Sequence, residues 1–358
     1  MRWVKIIAIN LALTVVLVTL VEGGAGWTLF LKTTARWSRI QERLHTEFDE
    51  QIGWINSPSV RVDDIYGPGR DLTTNSQRLR SRRELSVQVP EGKVRVVCSG
   101  DSFTLGYGVD DEHAWCRLLE LLDDRLETAN LGQGGYGVDQ AYMWYQRNKM
   151  KLEHDALIFA FITEDFGRTT RDDFYGYDRP RLAIRDGELV PQNLPLSKRS
   201  FPQRLFENVA GDLGRLRIGV FVRALSARLG FGPPSSSNRQ ETREMVSLLF
   251  ADLARVQKAS GRRFVLLYLP TLADFSEPGR SDDWRGFVAA EAQENGYFLI
   301  DFVQTMLTTP VKEAHGWFQG PPNWHLTDAG NEAVAREVLR RLDELGPALQ
   351  DRQPRLVE

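Results

Sequence analysis

Cysteine is almost missing from this sequence: Cys98 and Cys116 are the two in 358 residues. That is too few for a disulfide framework or a paired CxxC zinc site. Two buried free thiols are the preferred reading, with a pair formed on export as the alternative. Histidine is scarce as well. His45, His113, His154, His315 and His325 are the five, and no two have HExxH spacing, so no metal site is expected. There is no excess of basic charge: 45 Lys and Arg face 48 Asp and Glu, for a net charge of −3. The electrostatic footprint of a nucleic-acid surface is therefore lacking, and no nucleic-acid partner is expected. The lysine of a GxxxxGK[ST] phosphate loop is absent too. Gly132–Gly137 fits GxGxxG, but it follows the second strand rather than the first and has no well-placed acid ~20 residues on. No nucleotide or other cofactor is expected.

What is present begins with an apolar N-terminus. Arg2 and Lys5 precede a run from Ile6 to Val21, closed by Glu22 and Gly23. A positive start followed by an apolar stretch is the pattern of an export signal. The run falls slightly short of the ~20 residues that span a bilayer, and Trp3 and Val4 nearly close the gap. Trp3 and Trp27 suit the two interfaces. Residues 1–26 are thus read as an uncleaved single-pass anchor, with cleavage near Gly23-Gly24-Ala25 as the alternative. The charge at Arg2 and Lys5 places the body on the far side of an inner membrane, in the periplasm. Lys32, Arg36, Arg39 and Arg43 on the other flank oppose that orientation, diluted by Glu42, Glu47, Asp49 and Glu50.

Residues 27–92 read as a polar, partly helical stalk and an irregular lead-in with turn signals such as "YGPGR". From Lys93 the pattern alternates. The runs "VRVVCS", "LETANLG", "DALIFAFITEDF", "RRFVLLYLP" and "GYFLIDF" are strand-like. Between them lie helical stretches, one capped by Asp110 or Asp111, and the last begins at Thr327. Near-continuous apolar strands alternating with helices predict a parallel sheet covered on both faces, an α/β fold. Residues 166–240 break the rhythm and read as an insertion over the strand ends. Its cluster of Phe174, Tyr175 and Tyr177 with Arg171 and Arg179 reads as packed, with a solvated rim, stacking on a sugar face being the alternative; the helical piece 202–230 reads as core-packed, with a place on the membrane as the alternative. Residues 346–358 form a polar tail.

The chemistry centres on Gly100-Asp101-Ser102, at the carboxyl end of the first apolar strand. A hydroxyl at that edge of a parallel sheet caps a helix, holds a phosphate or acts as a nucleophile. "FTLGYGV" is a poor helix start, and the phosphate lysine is missing. A nucleophile needs a base, and His325, between prolines and the capping Thr327, is the histidine with an exposed loop setting. Asp101 reads as a structural acceptor.

The ordered set "SGDSFTLGYGVDDEHAW", "NLGQGGYGVDQ", a strand ending in "TEDF", and "NWHLTDAGN" resembles the SGNH/GDSL hydrolase superfamily over residues 93–345. Membrane-anchored bacterial members carry a stretch like "TTNSQRLRSRRE" ahead of the first strand. The resemblance implies a flavodoxin-like three-layer α/β/α sandwich. It also implies Ser102 as nucleophile, His325 as base, and an oxyanion hole from Ser102, Gly135 and a third donor. Two positions depart from the family. Its third donor is an asparagine, where this chain has Glu164, which accepts hydrogen bonds and repels an oxyanion. Its aspartate ahead of the histidine is replaced by Pro322 and Asn323. Asn323, Asp328 or Asp165 then becomes the candidate to orient His325, with a backbone carbonyl as the other possibility.

The expected function is a membrane-tethered serine esterase or acyltransferase. Its expected substrate is an ester-linked acyl group, preferably acetyl on an envelope or exported polysaccharide. A lipid or lysophospholipid esterase, or a catalytically silent glycan-binding or assembly subunit, is the alternative.

Overall fold

A computed structural model describes residues 2–37, 44–171, 173–174, 177–198, 236–320 and 323–344. Pro322, Tyr175, the helical piece 202–230 and the tail 346–358 lie outside the described residues. The chain forms two compact units, the first comprising residues 1–41, 175–177 and 197–239, the second the rest. In the first unit one helix runs from Arg2 to Trp37 without a break at Gly23-Gly24. Within it Arg2–Thr28, with a mean hydropathy of 2.5, is long and apolar enough to cross a membrane, a property that signal sequences share.

The second unit is built on five parallel strands: β1 (Val94–Ser99), β2 (Leu126–Asn130), β3 (Ala156–Phe161), β4 (Arg263–Tyr268) and β5 (Phe298–Asp301). Their order in the sheet is β5-β4-β3-β1-β2. This is the flavodoxin-like doubly wound order. The central pair, β1 and β3, is held by the register Val96↔Ala156 to Ser99↔Phe159, and every residue of both strands is buried. Burial on both faces accounts for their unbroken apolar runs.

Strand order also fixes the layers. The β1-to-β2 connection runs toward one edge of the sheet, and the connections from β2 onward run toward the other. Right-handed crossovers then place their helices on opposite faces. Trp115–Leu122 covers one face together with the closing helix Asp328–Asp343, whose Asn331 side chain accepts from the Trp115 N–H at 3.0 Å. Val138–Asn148, Ser236–Ala259 and Asp282–Asn295 cover the other. Thr327 caps the closing helix, accepting from Gly330 N–H at 3.2 Å. Ala335, Val338 and Leu342 on that helix are buried.

Three expectations change. Residues from 44 onward are not a stalk. Thr46–Asp49 and Gly53–Asn56 form an antiparallel hairpin whose Ile52, Trp54 and Ile55 are buried. Asp111 is no helix cap. It is buried and binds the guanidinium of Arg80 at 3.2 Å and that of Arg82 at 3.0 Å, and the helix starts later, at Trp115. Cys98 and Cys116 are not free thiols but a disulfide, with Cα atoms 6.3 Å apart. Spacing in the sequence gives no sign of that pairing, because the fold brings β1 under the next helix.

The disulfide joins residues 18 apart in sequence and closes a loop that contains Ser102. Replacing both cysteines by serine is expected to lower unfolding free energy by about 2–4 kcal/mol, the usual range for such a loop. Urea unfolding of the full chain in detergent, followed by circular dichroism, checks this. An unchanged midpoint would show that the bond contributes no stability.

Candidate active site

The strands adjacent at the topological switch point are β1 and β3, and their carboxyl ends carry the site. β1 exits through Gly100, where a Cβ would fall 2.3 Å from Thr104 Oγ1 and 2.6 Å from the Ala160 carbonyl oxygen, so no larger residue fits. The chain then turns into the short helix Ser102–Leu105. Asp101 caps it, accepting from Phe103 N–H at 2.8 Å, and the Gly106 N–H returns to the Ser102 carbonyl at 3.0 Å. Ser102 opens this helix rather than capping one.

The far end of the helix is closed by a side chain from the lead-in. Arg80, buried, donates to the carbonyls of Leu105 at 2.7 Å, Gly106 at 2.5 Å and Val109 at 2.6 Å, with Asp111 as its counter-ion. A buried guanidinium needs that many acceptors, and carbonyls left open at a helix end need donors. Each satisfies the other.

His325 Nε2 lies 2.9 Å from Ser102 Oγ. Its Nδ1 lies 2.5 Å from the backbone carbonyl oxygen of Asn323. A carbonyl only accepts, so Nδ1 carries the proton and Nε2 is left to accept from the serine hydroxyl. The ring sits between Phe103 and Tyr107, with centroids at 4.8 and 4.7 Å, and Tyr66 packs on Tyr107 at 4.6 Å. The carbonyl can fold back because Trp324 takes a positive φ of 54°. That conformation costs a non-glycine residue free energy and persists only where its surroundings impose it. Here the Gln319 N–H bond to the His325 carbonyl, at 2.7 Å, pins the turn.

None of the side chains expected to orient the imidazole does so. The Asn323 amide donates to Gln319 Oε1 at 3.3 Å, and only its main chain reaches His325. Asp328 is held by Arg70 through two bonds of 3.1 and 3.0 Å, the same guanidinium donating to the Gly108 carbonyl at 2.9 Å. Asp165 is buried, accepts from Ile162 N–H at 3.0 Å and pairs with Arg168. Burial and the neighbouring Asp101 carboxylate push its carboxyl well above the usual range.

Gly135 has φ of +78°, and a Cβ there would lie 2.2 Å from the Phe174 ring. Both the conformation and the contact require glycine. The N-terminal hairpin supports this segment. Trp54 Nε1 donates to the Gly134 carbonyl at 2.7 Å, Tyr136 Oη donates to the Trp54 carbonyl at 2.5 Å, and the Trp54 ring stacks on Phe174. Phe174 and Arg179, read as packed, are so placed: Arg179 is buried against Asp139 and Gln140. Among the described residues the backbone N–H groups of Ser102 and Gly135 have no hydrogen-bond partner.

Glu164 is not brought to the Ser102–His325 pair. Its Oε1 accepts from Arg280 at 2.9 Å, its Oε2 is buried without a partner among the described residues, and burial raises its carboxyl. The preceding residue, Thr163, shares a hydrogen bond of 2.9 Å with the Tyr268 hydroxyl. Among the described residues no group of three or more His, Cys, Asp or Glu side chains is placed to hold a metal ion.

No family model matches the chain, and no curated protein does. Several solved structures are similar. A member of the lipolytic protein G-D-S-L family from Veillonella parvula DSM 2008 is 14% identical, covers 69% of this chain and 97% of its own, with a TM-score of 0.39. The lipase/acylhydrolase from Enterococcus faecalis is 11% identical, with coverage of 70% and 96% and a TM-score of 0.41. A carbohydrate esterase family 2 enzyme plus carbohydrate-binding domain from Corynascus thermopiles is 13% identical, with coverage of 74% and 68% and a TM-score of 0.40. The strand order, rather than these likenesses, defines the fold.

Because the Asn323 main chain orients His325, Asn323→Ala is expected to keep the rate of Ser102 modification by a fluorophosphonate within about threefold, whereas His325→Ala lowers it by ~10⁴-fold or more. Mass spectrometry of the modified chain over time measures both. A large loss in Asn323→Ala would return the orienting role to its amide.

Proposed function

We propose that this chain is a membrane-tethered serine esterase or acyltransferase acting on acetyl esters of an envelope or exported polysaccharide. The 2.9 Å contact between His325 Nε2 and Ser102 Oγ carries the reading. As Oγ attacks the ester carbonyl carbon, its proton passes to Nε2 and the carbonyl oxygen becomes an oxyanion. The N–H groups of Ser102 and Gly135 are its donors, each of a kind typically worth ~2.7–4 kcal/mol in the transition state. The alkoxide of the leaving sugar takes the proton from Nε2 and departs, leaving acetyl-Ser102. Water, or a second sugar hydroxyl, then gives its proton to Nε2 and its oxygen to the acyl carbon; the acyl–Oγ bond breaks, Ser102 Oγ takes the proton back from Nε2, and acetate or the acetylated sugar leaves. The Asn323 carbonyl holds the tautomer throughout. It stabilises the imidazolium less than a carboxylate would, so a modest turnover is expected.

Substrate and compartment rest on separate supports. Within the insertion the hairpin Arg181–Arg185 against Glu188–Gln192 exposes Arg181, Arg185, Asp186 and Glu188, and these charged groups favour a polar substrate. The Cys98–Cys116 disulfide favours an oxidising compartment, in keeping with a body exported behind the N-terminal helix and tethered by it in the periplasm.

Wild type is expected to be labelled by a fluorophosphonate and Ser102→Ala is not. p-Nitrophenyl acetate is expected to be cleaved at least ~10-fold faster than the laurate ester, and an acetylated polysaccharide to lose acetate. Preference for laurate would move the substrate to lipids. Folded wild type that takes no label would leave a silent, glycan-binding domain.

A further inference from the structure

We infer that Arg168 is a positioning residue that fastens together the three segments surrounding the oxyanion site. The inference rests on the reading of Ser102 as nucleophile. Arg168 follows β3 on the short helix Thr163–Arg168, and its side chain is 13% exposed. One terminal nitrogen, Nη1, reaches three acceptors: the Asp101 carboxylate at 3.2 Å, the Tyr136 carbonyl at 2.7 Å and the Asp165 carboxylate. Two of these acceptors are chain neighbours of the residues that supply the oxyanion donors: Asp101 precedes Ser102 and Tyr136 follows Gly135. The third, Asp165, lies in the turn after β3.

The acceptors are otherwise committed. Asp101 also caps the nucleophile's helix through Phe103 N–H at 2.8 Å, and Asp165 also closes the turn after β3 through Ile162 N–H at 3.0 Å. Asp101 is 1% exposed at the side chain and Asp165 2%. Two buried carboxylates so close repel, and Arg168 is the cation that pairs with both. The guanidinium also lies over the Phe174 ring, at 5.3 Å, and that ring is the wall against Gly135. Beside it, a Cβ on Gly137 would meet the Asp165 carbonyl at 2.9 Å and Arg168 Cβ at 3.1 Å. Three loops from three strand ends thus share one charged centre.

The consequence is geometric. Donors to an oxyanion act only when preorganised, and a shift of about 1 Å at such a site costs on the order of 100-fold in rate. Without Arg168, Asp101 and Asp165 lose their common counter-ion, and the charged link from the Gly135 segment to the Ser102 turn is lost. The oxyanion forms only in the transition state, so the loss falls on kcat and leaves KM nearly alone.

Full-length Arg168→Ala in detergent, assayed with p-nitrophenyl acetate, tests this. A fall in kcat of ~100-fold with KM within about threefold is expected. Millimolar guanidinium chloride is expected to restore part of that loss, as it would not for a fold defect, and not to raise the wild-type rate. An unchanged kcat, or a loss that guanidinium does not recover, overturns the inference. Should Arg168→Ala fail to fold, Arg168→Lys carries the test: folded protein with kcat reduced at least ~10-fold and KM kept supports it, and wild-type kcat refutes it. Wild type unreactive toward both fluorophosphonate and ester refutes the esterase reading itself, and this inference with it. Reactive wild type with an indifferent Arg168 refutes only the inference.

Discussion

The site depends on one hydrogen bond that the sequence does not advertise, from His325 Nδ1 to the main-chain oxygen of Asn323. It decides which nitrogen carries the proton, and so whether the other can draw the hydrogen from Ser102. Everything around the imidazole serves this geometry. Phe103 and Tyr107 hold the ring plane, Gln319 pins the turn, and Trp324 accepts an unfavourable φ so that the carbonyl can face its own neighbour's ring. A backbone acceptor has no charge to offer the imidazolium. The proposed chemistry therefore leans on the oxyanion donors more than a triad with a carboxylate would.

Those donors are placed by packing rather than by local preference. Ser102 and Gly135 come from the ends of different strands, 33 positions apart, and Asp101 and Asp165 bring two acidic groups into the same small volume. Guanidinium groups resolve the conflict. Arg80 closes the carbonyl end of the helix Ser102–Leu105, Arg168 sits between the acids, and Arg70 occupies Asp328. The hairpin ahead of the sheet braces the glycine segment from outside. Rigidity at this strand edge follows from many such bonds crossing between elements.

The sheet was legible because strands buried on both faces must be continuously apolar, as in "VRVVCS" and "ALIFAF". Ser102 and His325 were legible because each interrupts a pattern that packing alone would not have interrupted. The supporting residues were not. Arg70, Arg80 and Arg168 stand in polar stretches where solvated arginines are common, and only the folded chain shows what they hold. Asp111 looked like a cap because it precedes a helix, and its real partners are Arg80 and Arg82. Asn323 looked like a substitute for a lost aspartate, yet its side chain is turned to Gln319. Every residue has a carbonyl, so the true acceptor carries no mark in the sequence. In the sequence the disulfide stands only as the alternative to free thiols for the same reason: a pairing set by strand and helix geometry has no signature in spacing.

The most direct measurement is acid quenching of full-length protein during turnover of p-nitrophenyl acetate, followed by peptide mapping. The account predicts an acetyl group on the Ser102 peptide in wild type, absent in His325→Ala. Acetyl found elsewhere, or equal acetylation of Ser102 without His325, would contradict it.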